Sequence, residues 1–125
     1  MSKRGSVLLV DQDSQLVTIL ASFLTAQGYR AIFTTRVREA IKKLRNQKFS
    51  HVFVDPDLRP DSPSELLAEV TDPNSLNFQT PITLMTAKLN EEVKLEEAKR
   101  LSAIMQKPFT LREFLFRLNG KTASK

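Results

Sequence analysis

The chain contains no cysteine. That excludes a disulfide framework, a thiolate nucleophile and any cysteine-based metal site. Glycine occurs 3 times and proline 6 times, too sparsely for a collagen-like or low-complexity chain. No apolar run approaches the roughly 20 residues a membrane helix requires, so the chain is not expected to span a bilayer. The start, Met1-Ser2-Lys3-Arg4-Gly5, is basic, but the apolar run after it stops at Val10. That is too short for a signal peptide, and no small-residue cleavage site follows. The expected address is the cytoplasm. There is no internal repeat. The only histidine, His51, lies outside any helical phosphotransfer context and reads as structural.

What remains is an ordinary globular composition. The 125 residues suffice for one domain with one proper core. Apolar residues make up 41% and charged residues 26%, with 19 Lys and Arg against 14 Asp and Glu, a formal charge of +5. Such an excess can mark a nucleic-acid binder. Here the basic residues are spread out. The densest group, Lys42, Lys43, Arg45 and Lys48, falls on one expected helix without interleaved aromatics. Nucleic-acid binding by this domain is therefore not expected.

The hydrophobic pattern alternates between two periods. Val7-Leu8-Leu9-Val10 is a short continuous apolar run, as in a strand buried on both faces of a parallel sheet. Residues 14–27 carry Leu16, Ile19, Leu20, Phe23 and Leu24 at helical spacing, and Gly28 stands where a left-handed cap would end that helix. Further strands are expected at Ala31-Ile32-Phe33, His51-Val52-Phe53-Val54, Pro81-Ile82-Thr83-Leu84-Met85 and Ala103-Ile104-Met105. A second helix is marked by Val37, Ala40, Ile41 and Leu44. A third, short helix would be capped by Ser64 and run through Leu66, Leu67 and Val70. A fourth, charged one spans 91–101. The last is capped by Thr110, carries Leu111, Phe114, Leu115 and Leu118, and stops at Gly120. Residues 72–80 read as a polar, turn-rich loop, and 121–125 as a frayed tail or the start of a linker. Five strands alternating with five helices predict an α/β fold: a doubly wound, flavodoxin-like parallel sheet in one domain over 1–120.

In an open parallel sheet, ligands bind beyond the carboxyl ends of the strands. Those ends carry Asp11 and Asp13, Asp55 and Asp57, Thr86, and Lys107. Clustered carboxylates repel unless a cation sits among them. Oxygen-rich sites suit Mg²⁺, which keeps several waters and often bridges to a phosphate. A lysine and a hydroxyl opposite the ion would hold the remaining phosphoryl oxygens, and a carboxylate beside it can act as nucleophile and become an acyl phosphate. Taken singly, each residue also has an ordinary reading: Asp after a strand is a common turn residue, and Asp13 could simply cap the first helix.

Four blocks together resemble the receiver domain of bacterial two-component response regulators, over residues 6–119. They are Val7-Leu8-Leu9-Val10-Asp11, Phe49-Ser50-His51-Val52-Phe53-Val54-Asp55, Pro81-Ile82-Thr83-Leu84-Met85-Thr86-Ala87, and Lys107-Pro108-Phe109. The resemblance implies strand order 2-1-3-4-5. Asp55 matches the aspartate that accepts phosphate from a histidine kinase or phosphotransfer protein. Asp11 matches the first of the acidic pair that binds Mg²⁺, with the residue at Asp57 as a further ligand. Thr86 matches the switch hydroxyl and Lys107 the lysine that contacts the phosphoryl group. Pro108 matches a proline whose preceding bond is typically cis. A downstream protein target would dock on the face of the fourth helix, fifth strand and last helix. Such a domain turns over no separate substrate, catalysing only its own phosphorylation and dephosphorylation.

The chain departs from that family at several places. Gln12 replaces the second acidic residue, which should weaken Mg²⁺ unless Gln12 itself, Asp13 or Asp57 compensates. Pro56 follows the acceptor and has no N–H to offer phosphoryl oxygens. Pro63 stands at a usual glycine, and Ile104 at the usual aromatic switch position. These departures open a second reading, a pseudo-receiver acting as a phosphorylation-independent interaction module. Asp55-Pro56-Asp57 with Thr86 and Lys107 is also similar to haloacid-dehalogenase-type phosphatases. Those enzymes require another acidic pair after the lysine, where this chain offers only Glu113.

Overall fold

A computed structural model of the chain describes residues 4–58, 60–87 and 103–120. The elements are β1 (Ser6–Val10), α1 (Ser14–Ala26), β2 (Arg30–Thr34), α2 (Val37–Asn46), β3 (His51–Val54), α3 (Ser64–Thr71), β4 (Ile82–Thr86), β5 (Ala103–Gln106) and a last helix, α4 (Leu111–Leu118). The helix expected over 91–101 and the tail at 121–125 lie outside the described residues. Among the described residues, no helix is long and apolar enough to cross a membrane.

The five strands form one sheet in the order β2-β1-β3-β4-β5, and every described pairing is parallel. This is the expected order. The reason lies in the strand sequences. Every residue of β1, β3 and β4 is buried, so both faces of the central strands need cover. Alternate residues divide between two cores. Leu8, Val10, Val52 and Val54 face Val37, Ala40 and Leu44 of α2 and Leu66, Leu67 and Val70 of α3. Val7, Leu9, Phe53, Met85 and Met105 face Val17, Leu20 and Leu24 of α1 and Phe114 and Leu118 of α4. Each fully buried aliphatic side chain contributes about 1.5–3 kcal/mol relative to exposure.

The helix ends follow from local chemistry. The Asp13 carboxylate accepts from the Gln15 and Leu16 amides, both at 3.1 Å, and starts α1. At its other end Gly28 has φ +93°, and the Tyr29 amide returns to the Leu24 carbonyl at 2.9 Å. That backbone favours glycine because a Cβ would be strained there. The Thr110 hydroxyl accepts from the Glu113 amide at 3.0 Å and starts α4, as expected.

α3 departs from expectation. Ser64 is its first residue rather than its cap. Pro63 precedes it at φ −73°, and the Ser62 hydroxyl accepts from the Ser64 amide at 3.2 Å. Proline has no N–H and its fixed φ suits entry into a helix, so the capping hydroxyl moves one residue upstream of it.

The segment 72–80 is more than a polar loop. Asn77 is fully buried in it. Its side-chain amide donates to the Leu44 and Gln47 carbonyls at 2.6 and 2.8 Å, and its oxygen accepts from the Phe49 amide at 2.8 Å. One side chain thus satisfies carbonyls at the end of α2, where helices leave such groups unpaired, and the amide that leads into β3.

Candidate functional site

The carboxyl edge of the sheet gathers the residues that carry charge. The strand ladder places the two acids: the Asp11 amide donates to the Thr34 carbonyl at 3.1 Å, and the Asp55 amide to the Val10 carbonyl at 2.9 Å. Both therefore sit one residue beyond the last rung of neighbouring strands. Lys107 follows β5, and its amide donates to the Thr86 carbonyl at 2.8 Å. The Lys107–Pro108 bond is cis.

Lys107 Nζ lies between the two acids. It is 2.8 Å from Asp11 Oδ2 and 2.7 Å from Asp55 Oδ2. Asp11 is buried, while the Lys107 and Asp55 side chains keep 19% and 18% of their exposure, so the cluster opens to solvent on the Asp55 side. Burial works to lower the Lys107 ammonium. The hydrogen bonds and charges of Asp11 and Asp55 outweigh it and hold the lysine above its ordinary value. Lys107 thus pairs with Asp55, and Asp11 shares the same ammonium.

The other carboxylate oxygens are also engaged. Asp11 Oδ1 accepts from the Asp13 amide at 2.9 Å, and Asp55 Oδ1 from the Asp57 amide at 2.7 Å. These two short turns aim each carboxylate at the lysine. Thr86 closes β4 and is buried at the same edge.

The remaining expected metal ligands are arranged differently. Asp13 engages its carboxylate at the start of α1, so its ordinary reading as a helix cap is the one seen. Gln12 is exposed, and its amide nitrogen donates to the Thr35 carbonyl at 3.3 Å. Each thus has part of its side chain engaged by a nearby backbone group. Asp57 is exposed beside Asp55. Among the described residues, no three His, Cys, Asp or Glu side chains gather closely enough to cage an ion. The donor set nevertheless fits Mg²⁺, which binds through one or two carboxylates together with water and phosphate oxygens. Asp11 and Asp55 would supply those two carboxylates.

Two features were missed in the sequence. One is Asp61, whose carboxylate takes a two-pronged bond from Arg36 at 2.9 and 3.0 Å and the Val37 amide at 2.9 Å. Arg36 holds the Asp61 carboxyl down at about 2. The other is a cleft of about 350 Å³ lined by Asp13, Leu16, Ala87, Lys107, Pro108 and Phe109, which opens beside the charged cluster. A larger cleft of about 700 Å³ lies along α2 and has Arg36 and Asp61 in its wall.

Known proteins place this geometry. The family described as the response regulator receiver domain matches residues 7–119. The transcriptional regulatory protein ZraR of Escherichia coli is 30% identical over 93 residues, which are 74% of this chain and 20% of ZraR. The chain therefore spans about a fifth of that relative. The non-phosphorylated HemR receiver domain of Leptospira biflexa superposes with a TM-score of 0.78 at 26% identity, covering 92% of this chain and 91% of that one. A response regulator from Burkholderia pseudomallei, solved with a phosphorylated aspartic acid, a calcium ion and citrate, superposes with a TM-score of 0.74 at 24% identity. It covers 91% of this chain and 66% of that one. With a match that runs from the first strand through the last helix, the chain belongs to the response regulator receiver domain family of two-component signalling.

Proposed function

We propose that Asp55 accepts a phosphoryl group from a phosphohistidine, on a histidine kinase or a phosphotransfer protein, with Mg²⁺ at Asp11, Asp55 and Asp57. The observation that carries this reading is the position of Lys107 Nζ, 2.8 Å from Asp11 and 2.7 Å from Asp55. A buried Asp11 and a half-open Asp55 held by one ammonium form a site where anionic oxygens can replace one another. An Asp55 oxygen attacks phosphorus, the O–P bond forms, and the N–P bond of the donor breaks with its electron pair returning to the imidazole. Lys107 then balances the added negative charge, and the Thr86 hydroxyl donates to a phosphoryl oxygen. Mg²⁺ supplies neutralisation of the phosphoryl oxygens when bound. Pro56 offers no amide donor there, which raises the share carried by Lys107.

The pseudo-receiver reading is not favoured, because the charged groups that phosphoryl transfer needs are assembled despite Gln12, Pro56 and Ile104. Ile104 packs against the core that holds Leu84, so a response to phosphate would run through Thr86 and β4–β5 pairing rather than through a rotating aromatic ring. We place the domain in the cytoplasm as a single unit over 1–120, turning over no substrate but its own aspartyl phosphate. Its target would dock through β5, α4 and the segment 91–101, which lies outside the described residues. The test is incubation with acetyl phosphate and Mg²⁺, read by intact mass. The expected result is one added phosphoryl group, lost in Asp55→Asn; an unmodified wild-type protein would overturn the reading.

A further inference from the structure

We propose that Asp61, gripped by Arg36, is a positioning residue for Asp55: it fixes the loop that carries the acceptor to the neighbouring loop after β2. The inference rests on the reading of Asp55 as phosphoacceptor. Its basis is a chain of bonds across three loops of the carboxyl edge. In the first loop, Gln12 follows Asp11 and donates to the Thr35 carbonyl at 3.3 Å. In the second, Arg36 follows Thr35 and sends Nε and Nη2 to the two Asp61 oxygens at 2.9 and 3.0 Å. In the third, Asp61 lies between Asp55 and α3 and also accepts from the Val37 amide at 2.9 Å. Arg36, the residue at the start of α2, makes no side-chain cap of its own, so α2 takes its cap from the acceptor loop. The loops bearing Asp11 and Asp55 are therefore both tied to the Thr35–Arg36 junction.

The acceptor loop needs such a tie. Pro56 has no amide to bond with, and the Asp57 amide is already turned into Asp55. Leu58 is fully buried and anchors the middle of the loop, and Asp61 ties the stretch before Pro63 to the start of α2. A lone surface ion pair contributes little to stability. A planar two-pronged bond that also caps a helix contributes direction, which a transfer reaction needs more than it needs stability. Breaking the clamp should therefore slow transfer while leaving the fold nearly as stable as before.

The experiment uses the full chain and three variants, Asp61→Asn, Arg36→Lys and the double variant. Asp61→Asn keeps an oxygen for the Val37 amide but loses the ion pair. Arg36→Lys keeps the charge and leaves the cap untouched but loses the fork. Each protein is modified with acetyl phosphate and Mg²⁺ over a range of donor concentrations, and urea unfolding and the Asp57 amide shift are recorded without donor. We expect the rate at saturating donor to fall roughly tenfold in either single variant, with half-saturation unchanged. The double variant should be no slower than the slower single one, because the pair acts as a unit. The Asp57 amide should move in all three, and the urea midpoint little. Wild-type rates with an unmoved Asp57 amide in Arg36→Lys would overturn the inference. A wild-type protein that takes no phosphoryl group, while the Asp57 amide still moves in the variants, would instead overturn the phosphoacceptor reading and leave the clamp standing as a structural fact.

Discussion

The two ends of the sheet treat buried polar groups in opposite ways. At the carboxyl end, Asp11, Asp55 and Lys107 are charged, share their bonds and reach solvent through Asp55. At the amino end, the buried side chains Asn77, Thr80, His51 and Thr83 are neutral and closed in, and one exposed ammonium, Lys48, reaches them from the surface. Asn77 satisfies the Leu44, Gln47 and Phe49 backbone. Thr80 donates to Asn77 at 3.0 Å and accepts from Lys48 at 3.0 Å. His51 Nε2 lies 2.7 Å from the Thr83 hydroxyl, with its ring stacked 4.3 Å from that of Phe53. Buried neutral side chains whose partners are all protein groups have one good arrangement, and losing a member leaves a buried group unpaired. A charged cluster balanced by one ammonium can be rearranged by another cation or another anion. The first kind fixes the fold and the second can respond to a ligand.

The largest expected effect that separates the two ends is Asn77→Ala. Two carbonyls and one amide would lose their partner, at a cost of about 3–5 kcal/mol in urea unfolding. The folded fraction should still be phosphorylated at Asp55 at the wild-type rate. A rate that falls with stability would show that the ends are not independent.

The second effect is a pH dependence from His51 at the amino end. Burial pushes His51 down to about 4 from its ordinary 6.5. The unfolded chain then binds a proton below pH 6.5 that the native state refuses. Stability from this group is full above pH 6.5 and declines as pH falls towards 4, by roughly 3 kcal/mol. Urea midpoints between pH 7 and pH 4.5 should show this decline in the wild type, over and above what remains in His51→Asn. Equal slopes in both proteins would contradict a buried neutral histidine.

The fold was legible because its strands are apolar on both faces and its helices carry one apolar stripe each, and both patterns are local. So was the meeting of Asp11, Asp55, Thr86 and Lys107 at one edge, since strand ends converge once the strand order is known. The partnerships of Asp61 and Asn77 were not. Arg36 and Asp61 are 25 positions apart, and Asn77 and Leu44 33 apart. Each is a short polar residue in a turn-rich stretch, where a local hydrogen bond is the default reading. Asp13 shows the reverse: a residue considered for a metal follows the local rule and caps its helix.

The smallest of these effects sharpens the carboxyl end. Gln12→Asp places a carboxylate beside Asp11 and should tighten Mg²⁺ by about tenfold, or roughly 1.4 kcal/mol. Calorimetric titration reads it. Unchanged affinity would show that Asp57 already supplies the missing charge.

One end of the sheet can thus be rewired while the other stays closed. Amide shifts of the protein with Mg²⁺, before and after treatment with beryllofluoride, probe both ends in a single sample. Shifts are expected at Asp13, Asp57, Thr86 and Lys107 that extend through β4 and β5 towards α4, with Phe49, His51, Asn77 and Thr80 unmoved. Shifts confined to the neighbours of Asp55, or shifts of equal size around Asn77, would contradict this division between the two ends.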